Sequence, residues 1–161
     1  MSRARFLVLG LGNELFTDEG LGVEAARRVD ALGLDDVEVV DGGTLGIGLL
    51  PEIDDRHGVL ILDAVVAAGT VPGDLVSLDR EDLMRSHLLL YSAHQIGVQE
   101  ALAAMDLAGR SPERVGGIGM VPFSLETGYG LTAEAQDRLP QLVSAALDVL
   151  ATWGVEVPTH A

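Results

Sequence analysis

The chain has 161 residues, 48% of them hydrophobic and 20 of them glycine, enough for one domain with a sizeable core. Its formal net charge of −15 argues against a nucleic-acid backbone or an anionic membrane surface as partner, and favours cations or basic protein patches. All ten basic residues are Arg and there is no Cys, which excludes Schiff-base and P-loop lysines, disulfides, thiolate metal sites and a cysteine nucleophile. Aromatic residues are only 4% of the chain, so Leu, Val, Ile and Ala must fill the core. The basic, then apolar, N-terminus has too short an apolar run for a signal peptide and reads as a first strand, Phe6 to Leu9. With no stretch apolar enough to span a bilayer, a cytoplasmic protein is expected.

The first strand runs into a Gly-rich turn, Gly10-Leu11-Gly12-Asn13, and then a helix predicted from about Asp18 to Leu32. Leu21, Ala25, Val29 and Leu32 fall on one stripe of that helix, Thr17 or Asp18 can cap it, and Glu19 lies in its first turn. A second strand, Val37 to Val40, closes on Asp41-Gly42-Gly43, and a short helix follows from Thr44 to Ile53. Arg56 and His57 read as a solvated turn. The clearest strand is Gly58 to Asp63, continuously apolar until its terminal carboxylate, as a strand buried on both faces should be. A fourth strand is expected at Asp74–Leu78, then loop with one helical turn to Tyr91. A helix from Ile96 to Leu107, buried through Val98, Leu102 and Met105, follows the segment Ser92-Ala93-His94-Gln95. The fifth strand is Val115 to Val121, Pro122 to Gly130 is loop, and the last helix runs from Thr132 to Thr152. Pro140 should kink or split that helix, and the tail after Gly154 should fray. The alternation predicts a single three-layer α/β domain over residues 1–161, with a twisted, mostly parallel sheet of about five strands between helices. No long exposed apolar stripe is evident, so a monomer is expected.

Three residues each close or follow a different strand region: Glu19, Asp63 and His94. Each has an ordinary alternative, since first-turn acids serve the helix dipole and a carboxylate closing a strand often caps a turn. Together, two carboxylates and an imidazole suit a borderline divalent ion such as nickel, zinc or manganese, with positions left for water or substrate. A G-x-G-x-x-G fingerprint fails because Leu15 replaces the third glycine and Glu14 would repel phosphate. A Rossmann-like nucleotide-binding module remains the alternative, with Asp41 in the place of the ribose-binding acid. Neither an H-E-x-x-H helix nor a G-x-S-x-G elbow is present.

The segments GLGNELFTDEGLGVEAARRV, DGGTLG, LILDAV, SAHQIG and VPFSLETGYGLT, in this order and spacing, resemble the hydrogenase maturation endopeptidases from about Phe6 to Leu150. That resemblance implies a twisted parallel sheet between helices. It also implies removal of a C-terminal extension from the large-subunit precursor of a nickel–iron hydrogenase once nickel is in place. It carries the metal-contacting positions to Glu19, Asp63 and His94, which would be both catalytic and metal-binding, and it implies that nickel arrives with the substrate, although other divalent metals fit the same donors. Asp41, Gly42, Gly43 and Thr44 would line the substrate cleft, with Asp18 behind it. Ala93 stands where the family often has proline, and Glu14 where an apolar residue is common. A nickel-binding assembly factor without protease activity is the second alternative.

Overall fold

The computed structural model describes residues 2–43, 46–85 and 93–159, without the side chains of 46, 47 and 93–96. Five strands form one sheet: β1 (Phe6–Leu11), β2 (Val37–Gly43), β3 (Gly58–Ala64), β4 (Leu75–Asp79) and β5 (Arg114–Met120). Their order is β2-β1-β3-β5-β4, with β4 antiparallel at one edge and every other pair parallel. The helices are α1 (Leu21–Asp30), α2 (Leu50–Ile53), α3 (Arg80–Met84), α4 (Ala93–Leu107) and α5 (Ala133–Thr152).

Side chains of the central strands alternate between two cores, as the period of two requires. Phe6 and Val8 of β1 join Leu60, Leu62, Ile118 and Met120 against α1 and α5. Leu7, Leu9 and Leu11 join Val59 and Ile61 against Leu49, Ile53, Leu83 and α4. Both faces of β1 and β3 are thereby covered, which is why these strands read as unbroken apolar runs. The architecture is the expected three-layer α/β domain.

The differences from expectation have local causes. The predicted first helix divides into a 3₁₀ turn, Thr17–Gly20, and α1; Leu32 lies beyond the helix and is 39% exposed. Asp79 and Asp82 close a capping box on α3, which supplies the single helical turn foreseen in that region. α5 runs unbroken through Pro140, which lies on the exposed side, while Leu139, Leu142, Val143, Ala146 and Leu147 hold both halves to the core. The segment after Gly154 is docked, not frayed, at its start. Gly154 has φ +93°, its N–H donates to Ala151 (3.0 Å), Val155 N–H donates to Leu150 (3.1 Å), and Val155 is buried. These two bonds make a Schellman motif with its apolar clasp. Arg56 is no solvated turn residue: it is 5% exposed and donates to Glu52 O (2.9 Å), Ala4 O (2.8 Å) and the Glu38 carboxylate.

Candidate active site

From β1 the chain crosses to β2 on one side and returns to β3 on the other, so the carboxyl ends of β1 and β3 flank a topological switch point. In open α/β sheets that is where the ligand crevice opens. Asp63 stands there at the end of β3, and Glu19 on the 3₁₀ turn that follows β1.

Asp63 is the penultimate residue of β3, opposite Gly119 of β5, and is 4% exposed. One carboxylate oxygen, Oδ1, accepts from the Ala64 N–H at 2.8 Å. The side chain borders a cramped apolar crevice with Leu11, Val65 and Val98. Val98 lies one helical turn along α4 from His94, so the start of α4 belongs to this same end of the sheet. The His94 side chain lies outside the described residues, as do Thr44 and Ser92. Among the described residues, no three His, Cys, Asp or Glu side chains converge as a metal cluster.

Glu19 is placed by backbone packing. A Cβ on Gly12 (φ +134°) would sit 1.9 Å from the Glu19 carbonyl oxygen, and one on Gly22 would sit 2.1 Å from the Leu62 carbonyl oxygen. The 3₁₀ turn and α1 are therefore pressed directly on the ends of β1 and β3, with no room for side chains between. Gly10 belongs to the same contact, since its Cβ would meet Ala26 at 2.6 Å. The glycines that imitate a nucleotide fingerprint serve this close approach. Half-buried Glu19 thus rides on a turn seated beside the residue preceding Asp63.

The turn also carries strain. Thr17 has φ +49°, costly for a β-branched residue. It is held by its hydroxyl, which donates to Ser124 O (2.8 Å), and by its N–H, which donates to Gly128 O (2.9 Å). Neither Thr17 nor Asp18 caps the helix, contrary to expectation.

Asp18, expected near the substrate cleft, is instead completely buried. Its carboxylate accepts from the N–H groups of Phe123 (2.9 Å), Ser124 (3.1 Å) and Thr132 (2.8 Å) and from the Thr132 hydroxyl (3.0 Å). It clamps the loop between β5 and α5 against the turn that bears Glu19. Charge-assisted bonds of this kind are the strong ones. Sequence reasoning missed this role because the partners lie 105 to 114 residues away.

Asp41, Gly42 and Gly43 end β2 as a bulge, not a turn. Gly10 pairs with Asp41 and Leu11 with Gly43, so Gly42 is the extra residue. Gly42 is buried, and its Cβ would meet Leu11 Cδ2 at 2.8 Å. Asp41 is exposed, its Oδ1 accepting from Gly43 N–H at 3.1 Å. Asp41 and Gly43 line an open groove of about 310 Å³ with Gly12, Glu14, Leu15 and Tyr129. Arg27 pairs with two of the groove's lining acids, Glu14 and Asp41 (3.4 Å), and with Glu24 (2.6 Å), and the bond to Glu14 raises its pKa above the ordinary arginine value.

The hydrogenase maturation protease (HycI) family model matches residues 23–149. The hydrogenase 2 maturation protease of Escherichia coli strain K12 is 34% identical over 160 residues, covering 98% of each chain. The hydrogenase expression/formation protein HupD of Rhizobium leguminosarum bv. viciae is 37% identical over 158 residues, 95% of this chain and 77% of that one. Among solved structures, the hydrogenase maturating endopeptidase HybD from E. coli superposes with a TM-score of 0.85 at 36% identity, over 94% of this chain and 95% of that chain. The [NiFe] hydrogenase maturation protease HybD from Thermococcus kodakarensis superposes with a TM-score of 0.74 at 27% identity, over 90% and 98%. By sequence and by fold alike, this chain belongs to the hydrogenase maturation protease family, a family of peptidases.

Proposed function

We propose that this protein is the endopeptidase that removes the C-terminal extension of a nickel–iron hydrogenase large-subunit precursor after nickel insertion, and that Glu19, Asp63 and His94 receive the nickel carried by that substrate. The observation that carries this reading is the joint placement of the Glu19 turn and Asp63 at one switch-point crevice, with the start of α4 beside it. Two carboxylates and an imidazole match the ligand preferences of a borderline divalent ion. A site assembled from acids has little affinity for an unloaded precursor and more for a nickel-bearing one, so the metal itself is the signal that maturation has reached the right stage. A divalent ion held there is a Lewis acid, able to polarise a scissile carbonyl or activate water. With no Cys in the chain, a thiol acyl-enzyme is not part of this chemistry.

The test is a mass spectrum of the precursor, nickel-loaded and nickel-free, after incubation with the protein and with Glu19→Gln and His94→Ala. Loss of a C-terminal peptide from the loaded precursor alone, abolished in both variants, is the expected result. A folded, loaded precursor that is bound but left intact would instead identify a nickel-binding assembly factor, and cleavage indifferent to nickel would remove the metal from the recognition step.

A further inference from the structure

Among the described residues, three other than glycine have a left-handed φ: Thr17 (+49°), Asp36 (+61°) and Asp55 (+61°). Aspartate tolerates that region, whereas a β-branched side chain enters it only under constraint. Strain of this kind persists where the surroundings over-determine it, and it gathers at functional sites. Thr17 stands two residues before Glu19 and is the first residue inside the turn that Glu19 N–H closes on Phe16 O at 3.1 Å. Its backbone angle therefore sets the direction of the turn that carries Glu19.

Every part of Thr17 is engaged by the loop between β5 and α5. The hydroxyl donates to the carbonyl oxygens of Ser124 (2.8 Å) and Glu126 (3.2 Å), and the N–H donates to Gly128 O (2.9 Å). The methyl rests over Gly128, where a Cβ would meet Thr17 Cγ2 at 3.3 Å. The same segments are joined on either side of Thr17. Gly128 N–H donates to Leu15 O (2.9 Å), Gly130 N–H to Glu14 O (3.3 Å) and Asp18 N–H to Ser124 O (3.2 Å). Glycine would adopt the same angle without strain, so the conformation alone does not call for threonine. What threonine adds is a hydroxyl and a methyl, both directed at that loop.

We propose that Thr17 is a positioning residue for Glu19: its left-handed backbone, locked by residues 124–128, holds the turn in the orientation that presents Glu19 to the nickel of the substrate. The nickel clause rests on the reading of Glu19 given above. The role differs from that of Asp18, whose carboxylate anchors the loop, because Thr17 fixes the backbone angle from which Glu19 departs.

The experiment compares the wild type with Thr17→Gly, Thr17→Ser, Glu19→Gln and the Thr17→Gly/Glu19→Gln double variant, in two measurements. Amide hydrogen exchange of Glu19 reads the turn, with Leu9 and Leu60 in the buried strands as the reference for global opening. Calorimetric titration with Ni²⁺ alone reads the metal contact. Thr17→Gly relaxes the angle and removes the tether, so Glu19 exchange should rise about tenfold while Leu9 and Leu60 stay within about twofold. Nickel affinity should fall about tenfold in Thr17→Gly, and by less than about twofold when the same change is made in Glu19→Gln, because a residue acting through Glu19 has nothing left to position. Thr17→Ser keeps the hydroxyl and should return both readings to within about twofold of the wild type. Glu19 exchange that Thr17→Gly leaves unchanged, or raises only in step with Leu9 and Leu60, would overturn the proposal. So would a nickel affinity that Glu19→Gln weakens and Thr17→Gly does not, or an equal loss with and without the Glu19 carboxylate. Nickel binding absent from the wild type, or equal in the wild type and Glu19→Gln, would refute Glu19 as a nickel contact and with it the nickel clause; the exchange of Glu19 would still decide whether Thr17 holds the turn.

Discussion

Thr132 touches Asp18 twice: its N–H donates to Oδ1 at 2.8 Å and its hydroxyl donates to Oδ2 at 3.0 Å, while the same hydroxyl oxygen accepts from Ala135 N–H at 3.1 Å. The first turn of α5 is therefore capped by a residue that also anchors the Glu19 turn. Asp18→Ala would leave the partly buried N–H groups of Phe123, Ser124 and Thr132 without their acceptor, and each such loss costs about 1–3 kcal/mol. The expected outcome is a loss of about 3 kcal/mol or more, seen as a fall in Tm of about 10 °C by calorimetry. Asp18→Asn presents an amide N–H₂ to the same donors and should recover little of that. A change below about 1 kcal/mol in Asp18→Ala would show that the loop holds its place without the clamp.

Gly22 and Gly33 make a paired test of close approach. A methyl on Gly22 would stand 2.1 Å from one backbone oxygen and 2.5 Å from another, those of Leu62 and Leu11, whereas Gly33 (φ +61°) has nothing within 4 Å of its Cβ position. Gly33→Ala should cost only the left-handed backbone penalty of about 1–2 kcal/mol. Gly22→Ala must force α1 off the sheet, and should leave the protein unfolded or deprived of peptidase activity. Chemical denaturation of the two variants side by side checks this; equal, small effects would refute the contact.

Asp63→Asn keeps the shape of the side chain and removes its charge. The carboxylate is a proposed nickel contact, so kcat/KM for the loaded precursor should fall at least about a hundredfold, a barrier increase of about 2.7 kcal/mol. The near-ultraviolet circular dichroism should stay as in the wild type, because the amide keeps the shape of the side chain and an oxygen that can accept from Ala64 N–H. Wild-type kinetics in this variant would take Asp63 out of the site.

The parts of the fold that were legible in the sequence are those written in consecutive residues. β1 and β3 announced themselves by apolar runs because both of their faces are covered, and α1 by its stripe of Leu21, Ala25 and Val29. The glycines of the first turn were visible, but their purpose was not. They admit Glu19 O and Leu62 O to contact, and only the packed structure brings Leu62 to Gly22. The Asp18 clamp, the Arg56 anchor and the bracing of residues 14–17 by 128–130 all join segments far apart in the chain, and no local pattern encodes such pairs. Asp63 could be named as a candidate from its place at a strand end and Glu19 from its place after the first turn; that both lie beside the switch point follows from the strand order, in which β3 returns to the far side of β1 from β2.

Asp106, near the end of α4, accepts from the Ser111 hydroxyl and from Arg80, and these bonds hold its pKa below the ordinary carboxylate value, with Ser111 the larger cause. A carboxylate depressed in the folded state stabilises above its unfolded pKa of about 4 and loses that contribution as the pH falls through the folded value. The Tm difference between wild type and Asp106→Asn should therefore be present at about pH 6 and close progressively below about pH 4. The group is well exposed, so the difference is small. A difference that widened on acidification would contradict the assigned direction.

Arg56 and Glu38 form an ion pair whose two ends are unlike. The Arg56 side chain is wholly buried, while that of Glu38 is 44% exposed. The guanidinium also ties together the chain before β1, through Ala4 O at 2.8 Å, and the end of α2, through Glu52 O at 2.9 Å. Neutralising the exposed partner leaves Arg56 its two carbonyl acceptors and an amide oxygen in place of the carboxylate, so Glu38→Gln should cost about 1 kcal/mol or less. Removing the buried partner abandons two carbonyl groups in a space that the guanidinium filled, so Arg56→Ala should cost about 3 kcal/mol. Arg56→Lys keeps the charge but has no planar fork to reach three acceptors in different directions, and should fall between the two. Urea unfolding of the three variants tests the order; if Glu38→Gln proved as damaging as Arg56→Ala, the ion pair itself, and not the carbonyl anchoring, would be what holds the N-terminal end of the sheet together.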